Sequence, residues 1–207
     1  MPDLAPARPD ASARPDASAR PDASARSAAE RGRARAIQLA RQQFIAGQRV
    51  EMGALAREIG VSRMTLNRWV GSRYRLLGDV NWTFAHHALK TSRKRARGSG
   101  IDVVAGTVEG FIATVLESDF MRTFLRQEGE IALRIVTTHS TDLQRNFIAY
   151  VAALLEEELP GHTTGMPTDD LAYLIVRIAE SFCYVDMITG GEPDATKVGA
   201  AIRALLS

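Results

Sequence analysis

The sequence predicts an all-α fold, with a small amino-terminal helical domain followed by a larger helical domain. Apolar residues recur at helical spacing along most of the chain, whereas no segment alternates apolar and polar residues over the length of a strand. Glycine and proline interrupt this pattern at Gly98-Ser99-Gly100 and at Pro160-Gly161, where we expect helices to end. A chain of 207 residues is long enough to bury a core without disulfides or a structural metal.

Composition divides the chain into three segments. Residues 8–25 contain three copies of Arg-Pro-Asp-Ala-Ser-Ala, which offer no large apolar side chain to bury, so we expect residues 1–26 to form a disordered tail. Residues 27–100 carry 15 Lys and Arg against 4 Asp and Glu, a net charge of +11, and residues 101–207 carry 7 against 16, a net charge of −9. A basic block joined to an acidic remainder predicts that the block binds a polyanion.

Each helix is predicted from its apolar stripe. A first helix, ending near Gly47, has the stripe Ile37, Ala40 and Phe44. A longer helix running to Arg95 has the stripe Leu76, Leu77, Val80, Phe84 and Ala88. The next helix has the stripe Val104, Val108, Phe111, Ile112 and Val115. Residues 120–138 are predicted as one or two short helices, and residues 143–158 as another. The last two helices are predicted over 168–189 and 194–206.

Residues 52–70 read MGALAREIGVSRMTLNRWV, a pattern typical of two short helices that pack across a tight turn. Gly60 lies at the turn, where a positive φ costs glycine least. Ser62 precedes the second helix and can cap it by accepting a bond from an early backbone N–H. The apolar positions that would pack the two helices together are Leu55, Ala56, Ile59, Val61, Leu66 and Trp69. Together these features predict a helix-turn-helix.

A family resemblance extends over residues 27–82. It rests on Ala54-Leu55-Ala56-Arg57-Glu58-Ile59-Gly60-Val61-Ser62, on Thr65-Leu66, on Gly71-Ser72-Arg73 and on Leu76-Leu77, which are similar to the amino-terminal domain of the TetR family of transcriptional regulators. The run Trp69-Val70-Gly71-Ser72-Arg73 further resembles the branch that includes regulators of quorum-signal lactone degradation. The resemblance implies a DNA-binding domain over 27–75 and an effector-binding and dimerisation domain over 76–207.

Two residues depart from the family pattern. Many members have an aromatic residue where this chain has Asn67, and a Ser or Thr where it has Glu51. An asparagine is better suited to a base edge than to a phosphate.

The helix over 62–70 is expected to lie in the major groove of DNA with its exposed side towards base edges. The expected base contacts are Arg63, Met64, Asn67 and Arg68, because arginine can bond guanine, asparagine can bond adenine, and methionine can touch a thymine methyl. Contacts to phosphates are expected from Thr65, Ser72, Arg73 and Tyr74. Leu66 and Trp69 are assigned to the core.

A single helix-turn-helix contacts few base pairs, so we expect a homodimer on a double-stranded operator with an inverted repeat. The segment over 168–189 is apolar nearly all round and must be buried on most sides. We therefore expect the last two helices to pair with their copies, as the resemblance also implies; burial within one large monomer core is the alternative.

The resemblance also implies a cavity for a small, mostly apolar effector in the carboxy-terminal helices. Its expected lining is Phe84, His87, Phe111, Phe124, Phe147, Tyr150 and Phe182, with Glu128, Arg134 and His139 as polar anchors. This makes a repressor that an effector releases from DNA the leading hypothesis. The alternative is a regulator without a ligand, whose acidic domain binds a protein partner.

Other functional classes find little support in the sequence. It contains no glycine-rich phosphate loop, nucleophile elbow or His-Glu-x-x-His helix, so we expect neither an enzyme nor a bound cofactor. His86 and His87 are adjacent, which turns them about 100° apart on a helix and excludes them as a metal pair. The longest apolar run, Ile148 to Leu155, is too short to span a membrane, and no secretion signal is recognised, so a cytoplasmic protein is expected.

Overall fold

The computed structural model describes residues 23–138, 141–161 and 165–207, which form ten helices and no strand. The helices are α1 (Ala23–Ile45), α2 (Met52–Ile59), α3 (Arg63–Val70), α4 (Arg73–Arg95), α5 (Ile101–Glu117), α6 (Asp119–Thr137), α7 (Leu143–Glu158), α8 (Thr168–Cys183), α9 (Val185–Thr189) and α10 (Ala195–Leu206). The prediction of an all-α fold is confirmed over these ranges. None of the helices in them has the length and hydropathy that crossing a membrane requires.

Most helix ends lie where glycine, proline and apolar periodicity predict them. The long helix α4 ends at Arg95, before Gly98-Ser99-Gly100, as expected. The segment predicted as one or two short helices is α6, which is interrupted at Glu128 by a non-helical backbone (φ −138°, ψ 40°). Residues 1–22 of the predicted disordered tail lie outside the described residues, and residues 23–26 form the first turn of α1.

The prediction of one helix over 168–189 is wrong. The chain leaves the helix at Tyr184, where φ is −112° and ψ is 20°, and the short helix α9 follows. Tyr184 is only 7% exposed, so the break accompanies the burial of its ring. Because the segment is apolar on nearly every side, its periodicity gave no sign of this change in direction.

The amino-terminal core joins α1, α2, α3 and the first half of α4 to parts of α6 and α7. Leu55, Leu66 and Leu76 are fully buried in it. Trp69 packs against α1 at Gly32, where an added Cβ would lie 2.5 Å from the indole ring. The glycine therefore permits a close approach that any other residue would obstruct, and Trp69 contributes to the core as expected.

The carboxy-terminal core is built around α5, which packs against α4, α7, α8 and α10. Leu76 and Val80 of α4 belong to the amino-terminal core, whereas Ala85 and Leu89 of the same helix belong to the carboxy-terminal one. α4 runs without a break through the boundary expected between residues 75 and 76. It is therefore a rigid element shared by both cores.

Candidate nucleic-acid interface and interior cavity

α2 and α3 form the helix-turn-helix. Gly60 ends α2 with φ 85°, the left-handed conformation expected at the turn. Ser62 caps α3, its Oγ accepting a bond of 3.0 Å from the Thr65 backbone N–H. The turn and the cap both agree with the sequence analysis, and together they fix the direction in which α3 leaves the domain.

One side of α3 is exposed and carries the residues expected to contact bases. Arg63, Met64, Asn67 and Arg68 are all exposed, Met64 by 82%. Leu66, on the opposite side, is fully buried. A methionine this exposed gains nothing from the core, and its neighbours supply hydrogen-bond donors to either side of it.

The residues expected to contact phosphates are arranged less uniformly. Thr65 is half-buried, and its hydroxyl lies 2.9 Å from that of Ser62. Ser72 is exposed and caps α4, accepting a bond of 3.3 Å from the Arg75 backbone N–H. Tyr74 is half-buried beneath the Arg134 guanidinium, whose carbon lies 5.4 Å from the ring centroid.

Arg73 differs from its expected role as an open phosphate contact. Its Nε donates to the Val50 carbonyl at 2.6 Å, and its Nη2 lies 2.7 Å from Glu128 Oε1. The side chains are 17% exposed for Arg73 and 8% exposed for Glu128. Glu128, at the break in α6, lies beside the first turn of α4, so Arg73 links α4 to α6 instead of facing outwards.

Sequence reasoning overlooked Arg75, the basic residue of that turn that is exposed. Arg73 and Arg75 are of one type and lie two positions apart. Only the tertiary partner of Arg73, 55 residues further along the chain, distinguishes them, so no local signal could have separated the two.

A cavity of about 490 Å³ lies between α4, α5, α6, α7 and α8. Of the residues that α8 contributes, Val176, Ala179 and Cys183 are buried and Glu180 is 14% exposed. His87 of α4 and Glu117 of α5 line it as well and are exposed. The cavity therefore opens between α4 and α5 and closes against α8. The expected lining residues that it contains are Phe84, His87, Phe111 and Phe147.

Three of the expected aromatic residues do not line the cavity. Phe124 lies in the amino-terminal core, its ring centroid 4.9 Å from that of Phe44. Tyr150 packs edge-on to His86 at 6.1 Å. Phe182 packs against the carboxy-terminal core without reaching the cavity. The structure thus places these three apart from the cavity, because helical spacing gives the side of a helix but not which neighbour that side meets.

The expected polar anchors also lie elsewhere. Glu128 binds Arg73, and Arg134 lies over Tyr74. Neither of them lines the cavity. His139 lies outside the described residues.

The polar residue that sequence reasoning missed is Glu180, at the closed end of the cavity. Its carboxylate pairs with Arg177, and the Gln144 amide, with its nitrogen directed to the acceptor, donates to Oε1 at 2.9 Å. Burial raises the pKa of Glu180 to about 7, although the Arg177 charge acts against the shift. A carboxylate within an otherwise apolar helical stripe was the signal available for it.

Two further groups beside Glu180 stay neutral at physiological pH. Burial raises the pKa of the Cys183 thiol to about 12 and raises the pKa of Tyr184 well above its ordinary value. The lining at the closed end of the cavity thus combines one ionisable carboxyl group, which is paired with Arg177, with neutral and apolar neighbours.

The outer sides of α8 and α9 carry several exposed apolar side chains. Tyr173 is 47% exposed, Met187 40% and Ile188 66%. Leu174 and Ile178, which share another side of α8, are partly exposed. On α10, Ala200 and Ala204 are exposed. These residues are exposed or partly exposed apolar positions on the last helices of the described chain.

Comparison with known proteins identifies the family. The profile of the tetracycline repressor-like carboxy-terminal domain matches residues 99–207, more than half of the chain. The chain belongs to the TetR family. It is therefore a DNA-binding transcriptional regulator of TetR type.

A solved structure supports the TetR fold over most of the chain. The transcriptional repressor QsdR of R. erythropolis, from the TetR family, superposes with a TM-score of 0.79 at 23% sequence identity. The match covers 84% of this chain and 94% of QsdR. No curated protein matches the sequence. At this identity the superposition establishes the shared fold only.

Proposed function

We propose that this TetR-family regulator is a homodimeric repressor that binds an inverted-repeat operator and is released by a small, mostly apolar effector. The observation that carries the proposal is the course of α4. This helix of 23 residues, about 34 Å long, starts directly after α3 and forms one wall of the cavity. A ligand in the cavity is thereby in contact with the same rigid element that supports the recognition helix.

DNA binding is assigned to the exposed side of α3 and to the turn that follows it. Arg63, Met64, Asn67 and Arg68 supply the base contacts, because all four are exposed together on one side of the helix. Ser72 and Arg75 are assigned to phosphates, with Arg75 replacing Arg73.

Dimerisation is assigned to the outer faces of α8 and α10. Tyr173 is 47% exposed in the single chain, and isolated copies would leave this and its apolar neighbours in water. The exposed residues Ala200 and Ala204 of α10 allow a second helix to approach closely. Pairing of both helices with their copies gives a two-fold symmetric dimer, which matches an operator made of two half-sites.

Release requires an effector that binds the DNA-free conformation more tightly than the DNA-bound one. Two connections join the cavity to α3: α4 itself, and α6, which lines the cavity at Val136 and holds Arg73 through Glu128. A ligand that displaces either helix changes the position of α3 relative to its copy.

The test has two stages. Selection of bound DNA from a random pool is expected to return an inverted repeat. A thermal-shift screen with lactones and hydrophobic drugs should then give saturable stabilisers that also lower operator affinity. A single, non-repeated site would contradict the dimeric operator. Stabilisers that leave DNA binding unchanged would contradict release, and a protein whose cavity takes up none of them would favour the alternative regulator with a protein partner.

A further inference from the structure

The closed end of the cavity holds a carboxyl group that is not fully bonded within the protein. The Glu180 side chain is 14% exposed and lines the cavity. Arg177 and the Gln144 amide each bind one of its oxygens. A carboxylate has about four acceptor positions, so two such bonds leave acceptor capacity for a bound molecule.

The surroundings of Glu180 make that capacity selective. Ala179 and Val176 are buried beside it on α8, and Val136 faces it from α6. The neighbouring Tyr184 and Cys183 are held neutral by burial. A molecule that fills this end displaces water from the carboxyl group, and the loss is costly unless the molecule donates a hydrogen bond in return.

We propose that the effector carries a hydrogen-bond donor, a protonated amine or a neutral N–H or O–H group, on an otherwise apolar body, and that Glu180 accepts this bond at the closed end of the cavity. The inference rests on the proposed function, since it names the chemical class of that effector. A ligand that ends in a carboxylate is disfavoured because it brings a second negative charge to Glu180 without a proton to share.

The pairing of Glu180 with Arg177 provides an alternative role, the support of α8 alone. That role predicts a change in stability when Glu180 is replaced, but no change in the relative affinity of ligands with different end groups. Ligand ranking is therefore the readout that separates recognition from support.

Four probes of matched shape test the inference: phenylbutylamine, phenylbutanamide, phenylbutanoate and butylbenzene. Calorimetric titration at pH 8, where most of Glu180 is ionised, is expected to rank the amine and the amide about 10- to 100-fold tighter than phenylbutanoate, the range for one hydrogen bond to a charged group. An amine that binds tighter than the amide identifies charge as the larger contribution, whereas equal affinities identify a neutral donor.

The variant Glu180→Gln removes the charge and keeps the shape. We expect it to remove most of the preference for the amine over phenylbutanoate and to leave butylbenzene affinity unchanged. Glu156→Gln, at an exposed position of α7 outside the cavity lining, is the matched control and should keep the wild-type ranking. If Glu180→Gln does not fold, the ranking in the wild-type protein still decides.

Failure of the inference and failure of the proposed function give different results. If butylbenzene binds and the four probes rank alike in wild type and Glu180→Gln, the effector site stands and the role of Glu180 is overturned. If no probe binds at all, the effector site is overturned, and the inference with it.

Discussion

Replacement of the Arg73–Glu128 pair tests whether α4 and α6 are joined as the structure indicates. Arg73→Met leaves the Glu128 carboxylate with only the exposed Arg49, whose Nε lies 3.8 Å from Oε2, and Oε2 has no hydrogen bond. Glu128→Met leaves the Arg73 guanidinium with the Val50 carbonyl alone among its bonds. The double variant removes both charges together, which makes a double-mutant cycle possible.

The magnitude follows from the burial of the pair. Loss of one partner from a fully buried ion pair costs about 3–5 kcal/mol, because the other charge is left uncompensated. Arg73 is 17% exposed and keeps its bond to Val50, so we expect about 2–3 kcal/mol for each single variant. The double variant should cost less than the sum, since no buried charge is left, which gives a coupling energy of about 2 kcal/mol.

Urea unfolding at one protein concentration measures the four free energies of the cycle. Arg122→Ala is the matched control, because its pair with Asp119 is exposed by 56% and 93%, and we expect a change within about 0.5 kcal/mol. Operator titrations at several salt concentrations add a second readout. Because Arg73 is bonded inside the protein, we expect the operator affinity of Arg73→Met to depend on salt as steeply as that of the wild type. Additive single effects, or a reduced salt slope in Arg73→Met, would refute the reasoning.

Four further predictions concern the DNA surface, the dimer and the cavity. Arg75→Ala should lower the salt slope of operator binding by about one unit, and a wild-type slope would exclude a phosphate contact. Asn67→Ala or Arg68→Ala should each cost about 1–3 kcal/mol and relax preference at one operator position in a repeated selection. Tyr173→Asp should shift the mass measured by light scattering from twice 22.6 kDa towards 22.6 kDa, unless α8 lies outside the dimer interface. The folded pKa of Glu180, about 7, lies above its ordinary 4.5, so the stability it contributes is present below pH 4.5 and is lost as pH rises through 7. Between pH 5 and 8 the wild type should therefore lose on the order of 2 kcal/mol relative to Glu180→Gln, and a pH-independent difference in urea midpoint would contradict the shift.

Local features of the chain were predictable because local physical chemistry determines them. The turn at Gly60 and the cap at Ser62 depend on backbone conformation and on a hydrogen bond within three residues. The exposed side of α3 follows from the burial of Leu66 and from the helical period. Each of these predictions needed only residues that lie close together in the sequence.

Residues whose role depends on distant partners could not be assigned in this way. Arg73 meets Glu128 only because α6 breaks at that residue, and nothing in the run around it excluded a continuous helix. Phe124 has the right type and spacing for a cavity wall, yet its side of α6 meets Phe44 of α1. Glu180 lies among apolar residues at helical spacing. That spacing indicates a buried helix, but it does not indicate what a single carboxylate within it contacts.

The break in α6 connects the cavity to the Arg73–Glu128 pair. Val136 lines the cavity in the part of α6 after the break, whereas Glu128, at the break, holds Arg73. A non-helical residue can absorb a change in backbone angles that a continuous helix would resist. A ligand that displaces the second part of α6 thus acts on Glu128, and the Arg73 bonds extend the effect to Val50, before α2, and to the first turn of α4. Since α2 and α3 lie between these two points in the chain, one side chain contacts both ends of the helix-turn-helix. The double variant without the pair should therefore bind effector normally, while its operator affinity responds less to the effector.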